Sequence, residues 1–291
     1  MAKDKFTALW VSHSSISDYL KCPRAYYYKN VYKDPGSGRK ITLMSPNLAL
    51  GQSVHEVLEV LSHLKTSERF QQPLYQRLNE AWKKVSGLRG GFLDSESEHY
   101  FKKRAEQMLE RVYQHPGPIA ELSVKIKSEK DLAKYWLSEE DNIILCGKLD
   151  WLEFLPQTNS VHIIDFKTGQ KRNQEHSWQL PIYYLLASHC QKRPVSRISY
   201  WFLESDREPQ EQPLPDMAAV EREISSIARK IKLARQLKKF DCPSGTCRAC
   251  QPFDLITHGE GEWVGNDLYG ADVYILPSRE FEIDEDNSVV L

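Results

Sequence analysis

The stretch SVHIIDFKTG, residues 160–169, constrains this chain most. Val161, Ile163 and Ile164 mark a buried strand, yet the strand runs into Asp165, Phe166 and Lys167 before a Thr-Gly turn ends it. Side chains alternate along a strand, so Asp165 and Lys167 share one face while Phe166 points to the other and anchors the core. Just upstream, GKLDWLEF sets Asp150 among apolar neighbours. If these two strands pair, the carboxylates of Asp150 and Asp165 lie side by side, where they repel and lose solvation. A hard divalent cation with oxygen ligands resolves both costs, which predicts a Mg²⁺ or Mn²⁺ site. Lys167 then stands beside the metal, able to orient a water and to offset charge growing on a phosphate, as phosphodiester hydrolysis requires. Taken alone, the Asp-Phe-Lys triplet also fits a solvated strand end with a surface pair worth about 0.5 kcal/mol.

The flanking sequence supplies the rest of a fold. ELSVKIKS (121–128), KYWLSE (134–139) and NIILCGKLDWLEFL (142–155) are β-rich and read as neighbouring strands. Before them, a short β-like FTALWV leads into a helix capped by Ser14 or Ser15 and interrupted at Pro23. After a PGSGRK loop, Leu50, Val54, Val57, Leu58 and Leu61 recur at helical spacing and put His55 on or beside an apolar face. Helical stretches at about 72–86 and 97–114 flank a GLRGGF loop. Downstream come a helix at about 175–190, the strand RISYWFLES and a long amphipathic helix at about 216–238. Helices, strands, helix, strand, helix is the order of an α/β domain with a mixed sheet. With 291 residues, 41% hydrophobic and 27% charged, the chain has the make-up of a folded globule. MAKDKFTALWVSHSS lacks the apolar core of a signal peptide, and no uncharged apolar run reaches about 18 residues, so a cytoplasmic location without membrane contact is expected. The formal net charge of −1 means that any nucleic-acid contact must come from a local basic groove.

The six cysteines divide into two kinds. Cys146 and Cys190 sit in apolar surroundings and read as small core residues. Cys22 stands before Pro23-Arg24, whereas Cys242, Cys247 and Cys250 crowd together near the far end, so four thiolates meet only if the two ends of the chain do. By count, four thiolates suit zinc and an iron–sulfur cluster equally.

In their order these motifs resemble the RecB-like branch of the PD-(D/E)XK nuclease superfamily, of the AddB and CRISPR-associated exonuclease type. The resemblance rests on SSISDYLKCPRAYYY, GQSVHEVLE with His55, GKLDWLEF with Asp150, IIDFKTG with Asp165 and Lys167, QLPIY with Gln179 and Tyr183, and the late cysteines, over about residues 12–255. It implies a restriction-endonuclease-like α/β core with a mixed central sheet, a helical insertion and an iron–sulfur element joining the termini. Residues 1–277 would form one nuclease domain, with the insertion at about 66–117, the core at about 118–204 and the C-terminal helix and cysteine element at about 214–262. An acidic tail, 278–291, would follow. The metal would be held by His55, Asp150, Asp165 and the backbone oxygen of Phe166. Lys167 matches the catalytic lysine, and Gln179 with Tyr183 matches an element that supports this lysine and contacts DNA. Glu121 is a candidate for a second metal or an outer ligand. Cys22, Cys242, Cys247 and Cys250 would carry a [4Fe–4S] cluster, with zinc the alternative occupant. One departure stands out: the family's late spacing is C-x2-C-x5-C, whereas here Ile256 lies six residues after Cys250 and the additional cysteine, Cys242, lies upstream.

The implied activity is metal-dependent hydrolysis of DNA, as an exonuclease on single strands or ends in repair, recombination or CRISPR adaptation. No G-x-x-x-x-G-K-[ST] motif is present, so unwinding would come from a helicase or another recombination or CRISPR protein. Two other readings stay open: a non-catalytic DNA-binding or structural subunit that keeps fold and cluster, and a zinc-stabilised nucleic-acid-binding module. Arg24 with Tyr26, Tyr27 and Tyr28 either touches single-stranded DNA or packs.

Overall fold

The computed structural model describes residues 4–126, 132–169 and 177–276; the expected acidic tail at 278–291 lies outside them. The chain opens with β1 (Leu9–Val11) and α1 (His13–Lys21). The cap of α1 is Ser12, not Ser14 or Ser15: its hydroxyl accepts from the Ser15 N–H while the Ser15 hydroxyl accepts from the Ser12 N–H, a reciprocal box that places both later serines inside the first turn. Pro23 does more than interrupt. It starts α2 (Pro23–Asn30), at a position where a missing N–H costs nothing, and Cys22 is the extended residue between the two helices.

Next come β2 (Ile41–Leu43), α3 (Pro46–Ser62), α4 (Leu74–Trp82) and α5 (Ser95–Gln114). Ser45 and Asp94 cap α3 and α5 through their side-chain oxygens. The strands β3 (Ala133–Ser138), β4 (Ile143–Gly147), β5 (Trp151–Leu155) and β6 (Ser160–Lys167) are followed by α6 (Gln179–Cys190), β7 (Val195–Phe202) and β8 (Gln210–Gln212). The described chain ends with α7 (Met217–Leu237), α8 (Gln251–Thr257), β9 (Glu262–Asn266) and β10 (Asp272–Ile275).

Three sheets result. The central one runs β5-β6-β7-β8 and is mixed: β6 is antiparallel to β5 and parallel to β7, and β8 is antiparallel to β7. A second, β1-β4-β3, and a third, β2-β10-β9, flank it. The run 142–155 is therefore two strands in two sheets. The break falls at Gly147, where a Cβ would come within 2.8 Å of Leu186 Cδ1 on α6, so the chain passes the helix at close range and then turns into the central sheet. ELSVKIKS does not make a regular strand over its described part. It lies along the edge of β5, with the Val124 N–H on Leu152 O (2.8 Å) and the Phe154 N–H on Leu122 O (2.7 Å).

Ser160 to Phe166 are all buried, and alternation sorts them. Val161 and Ile163 join a core with α1, α6 and α7, whereas Ile164 and Phe166 join one with α3, α4 and α5. Phe166 packs between Trp151 and Trp201, a burial worth about 1.5–3 kcal/mol. Buried polar groups on this face satisfy one another: His162 Nδ1 lies 2.7 Å from Glu153 Oε2, and Nε2 lies 2.7 Å from Ser199 Oγ. Ser199 is 0% exposed, so this Ser-His-Glu chain links three strands and has no face on which to meet a substrate.

Candidate active site and cysteine centre

The β5–β6 register sets Trp151 opposite Ile164, which brings Asp150, one residue before β5, level with Asp165 and Phe166. The Phe166 N–H donates to Asp150 Oδ2 at 2.9 Å. From the other side α3 supplies His55, whose Nδ1 is 3.5 Å from Asp150 Oδ1. Gly51 makes that approach possible. It lies one helical turn before His55, where a Cβ would already stand 3.2 Å from Thr168 Oγ1 in the turn after β6.

Asp165 and Lys167 share a face, with Nζ 3.1 Å from Asp165 Oδ2. Gln179, the first residue of α6, spans both: its Oε1 accepts from Lys167 Nζ at 2.5 Å and its Nε2 donates to Asp165 Oδ1 at 2.6 Å. Tyr183, one turn on, accepts from Gln179 Nε2 at 3.2 Å. His55, Asp150, Asp165, Phe166, Lys167, Gln179 and Tyr183 thus form one connected group from α3, β6, α6 and the residue before β5. Gln179 and Tyr183 are only 2% and 1% exposed, so they are placed to hold Lys167 and not to touch a nucleic-acid strand. Glu121 is exposed, and its backbone oxygen is taken by Arg69.

Burial in this group sets the charges. It pushes Asp165 up to about 7; Lys167 opposes the rise and Asp150 adds to it. Burial would also raise Asp150, but His55 and the Phe166 N–H outweigh it and hold that carboxyl below its usual range. His55 is depressed by burial and lifted further by Asp150, so it ends above an ordinary imidazole. Tyr183, desolvated beside two carboxylates, stays a neutral phenol. Asp165 Oδ2 is buried and accepts no hydrogen bond, although Lys167 is near. One imidazole nitrogen with two carboxylates, one of them carrying an unsatisfied buried oxygen, is by its chemistry a donor set for a divalent cation of the Mg²⁺ or Mn²⁺ kind, although these atoms do not close to the spacing of an ion-sized group.

The cysteines gather as well. The sulfur atoms of Cys22, Cys242, Cys247 and Cys250 lie within 4.8 Å of one another, the metal-sized group of ligand atoms found among the described residues. Cys22 precedes α2, Cys242 follows α7 and Cys250 immediately precedes α8. Burial raises Cys22 and pushes Cys250 up to about 12. At Cys247 the backbone N–H groups of Cys250 and Ala249 override burial and bring the thiol down to about 7. A lowered thiol favours its thiolate, the form that binds metal. Cys146 and Cys190 lie outside the tetrad. Around it the two chain ends are stitched together: Arg24 reaches Asp254 Oδ1 at 2.8 Å and Gly245 O at 3.1 Å, and Tyr28 donates to Asp254 Oδ1 at 2.7 Å. Tyr26 and Tyr28 are 1% and 8% exposed and pack, so these two rings offer no base a stacking face.

A cavity of about 1210 Å³ opens over His55, Phe166 and Lys167. Its walls carry Lys33, Lys40, Lys84, Arg89 and Lys148, which the sequence reading missed because none belongs to a basic run longer than two residues in a chain with 39 basic and 40 acidic residues. Among the described residues, no helix is long and apolar enough to cross a membrane.

Two comparisons complete the description. A family model for the PD-(D/E)XK nuclease superfamily matches residues 10–252, from β1 into the first turn of α8, and the match takes in the acidic group and all four clustered cysteines. No curated protein matches the chain.

Proposed function

The chain belongs to the PD-(D/E)XK nuclease superfamily, and from that membership we propose that it is a metal-dependent deoxyribonuclease of RecB-like type acting on single-stranded DNA or DNA ends. The observation that carries the reading is the set of contacts that joins His55 to Asp150, Asp150 to the Phe166 N–H, and Gln179 to both Asp165 and Lys167, with His55, Phe166 and Lys167 lining a cavity large enough for a polymer segment.

His55, Asp150, Asp165 and the Phe166 carbonyl would hold Mg²⁺ or Mn²⁺. When bound, such an ion lowers the pKa of a water and polarises a phosphoryl oxygen. The protein's own groups do the positioning. Gln179 Oε1 and Asp165 Oδ2 fix the Lys167 ammonium where it faces the cavity, ready to offset negative charge on the phosphate in the transition state. Fixed beforehand, the charge needs no rearrangement during the reaction. Asp165, titrating near neutrality, would give up its proton to ligate a cation, and Asp150 is already ionised. Tyr183 holds the Gln179 amide so that its oxygen points to Lys167 and its nitrogen to Asp165.

The tetrad of Cys22, Cys242, Cys247 and Cys250 is proposed to carry a [4Fe–4S] cluster, with zinc the alternative. The pathway would be repair, recombination or CRISPR adaptation, with a helicase or another protein of those pathways as partner. The deciding experiment is cleavage of end-labelled single- and double-stranded DNA with and without Mn²⁺. Wild-type protein that leaves both substrates intact with Mn²⁺ present would reject the nuclease reading.

A further inference from the structure

The cavity over Lys167 is built on two sides. One wall is α3. The other is the third sheet: residues 41–45 of β2 and its exit, and the β9–β10 hairpin with its turn at Asp267–Gly270. Eight lysines and arginines line it against three carboxylates, although the whole chain has basic and acidic residues in near parity. Most of these cations already face a carboxylate. Lys29 pairs with Asp18, Arg39 with Asp272, Lys84 with Glu56, Lys148 with Glu59 and Lys167 with Asp165. Lys33, Lys40 and Arg89 remain, exposed and with no carboxylate partner among the described residues. Partial desolvation, joined by repulsion from Arg235 and Lys33, draws the Lys40 amine below the usual lysine range. Cations held together without counter-charge invite an anion.

Arg89 lies across the cavity. Its Nε stands 4.0 Å from where a Cβ on Gly265 would be, so it spans from the segment after α4 to β9. At the hairpin turn Leu268 and Tyr269 are 75% and 63% exposed and line the same cavity. No packing accounts for an aromatic ring so placed; its face is open at the lip of a basic groove. A mostly exposed phenol ring that lines the same cavity as three unpaired cations is an arrangement that takes an unstacked base and a phosphate backbone together. A duplex keeps its base faces covered by stacking and offers Tyr269 nothing to stack on.

We infer that this groove is a single-strand binding track, in which Lys33, Lys40 and Arg89 take successive phosphates and Tyr269 stacks a base before the strand reaches Lys167. The inference rests on the proposed nuclease reading and names the part of the protein that selects single strands. Because none of these four residues belongs to the acidic group, binding and cleavage are separable.

The test is fluorescence anisotropy with a labelled oligo-dT and a duplex of equal length, in EDTA so that nothing is cleaved. Wild type is expected to prefer oligo-dT. Tyr269→Ala should weaken binding by roughly 5- to 150-fold, the range for loss of one stacked base. Each of Lys33→Gln, Lys40→Gln and Arg89→Gln should lower the slope of log affinity against log salt by about 0.7. All four side chains are exposed, and a thermal melt checks that the variants fold as wild type does. Oligo-dT binding by wild type that none of the four substitutions changes overturns the track while leaving the nuclease reading intact. Equal or tighter binding of the duplex overturns the single-strand assignment. Wild type that binds neither DNA rejects both readings, whereas binding that responds as expected in a protein without Mn²⁺-dependent cleavage supports the track alone.

Discussion

Replacing Cys22 by serine is the sharpest perturbation of the architecture, because it cuts the connection between the chain's two ends. Cys22 and Cys242 enclose about 220 residues, and closing so long a loop restricts the unfolded chain by about 5 kcal/mol on the loop-entropy relation used for cross-links. Domain stabilities run to about 5–15 kcal/mol, so the clip is a large share of the whole. The structure says where the loss is felt. Cys22 separates α1 from α2, and Cys250 immediately precedes α8, which leads into β9 and β10. Without the clip, α2 and α8 are tied by Arg24–Asp254, Tyr28–Asp254 and the stacked rings of Tyr28 and Phe253, and β2 by its pairing with β10. The central sheet keeps both of its cores. Cys22→Ser should therefore lose iron and sulfide, unfold at lower urea and exchange amide hydrogens faster in α2, α8, β9 and β10 than in β5–β7. Cys146→Ser and Cys190→Ser should change none of these by more than local packing. Metal content together with hydrogen exchange decides the matter. Unchanged metal and unchanged protection in Cys22→Ser would refute the clip, and zinc in place of iron would keep the clip but reject the cluster.

Three further outcomes are expected at the acidic group. Lys167→Ala should lower the cleavage rate by roughly 10² or more with folding and DNA binding retained, as for loss of a positioned charge; full activity in this variant would remove Lys167 from the chemistry. EDTA should abolish cleavage, and Ca²⁺ should support binding without turnover; activity that survives EDTA rejects the metal site. The third outcome concerns the Asp165 proton. With its pKa at about 7, Asp165 is ~90% protonated at pH 6 and ~10% at pH 8, so Mn²⁺ binding should expel a proton at the lower pH and little at the higher. His55, also raised, adds protons of the same sign. Calorimetry in two buffers of different ionisation enthalpy measures the release, and none at pH 6 would refute the buried carboxyl. The sign for metal-free stability follows. The folded state binds this proton more tightly than the unfolded chain, so the contribution is fully present below about pH 4 and is lost as pH rises through about 7.

Along the chain, the sequence by itself determined the parts governed by short-range periodicity. Alternation in β6 was enough to separate Asp165 and Lys167 from Phe166, because a strand's side chains have a fixed period of two whatever surrounds them. The same holds for the apolar stripes of α3 and α7 and for Gln179 and Tyr183 one helical turn apart. What only the tertiary structure decided has no local period. The apolar run 142–155 looks continuous, yet it serves two sheets because α6 presses against Gly147. The third sheet joins residues 41–43 to residues 262–275 through strands of three to five residues, too short to leave a clear pattern. Lys33, Lys40, Arg89 and Tyr269 are unremarkable one by one and become a groove only when that sheet faces α3. The thiolate count was legible, but the meeting of Cys22 with three cysteines about 220 residues away is a long-range contact. Its free energy is set by loop closure and by the packing around Asp254, and neither is written in any one stretch of the sequence.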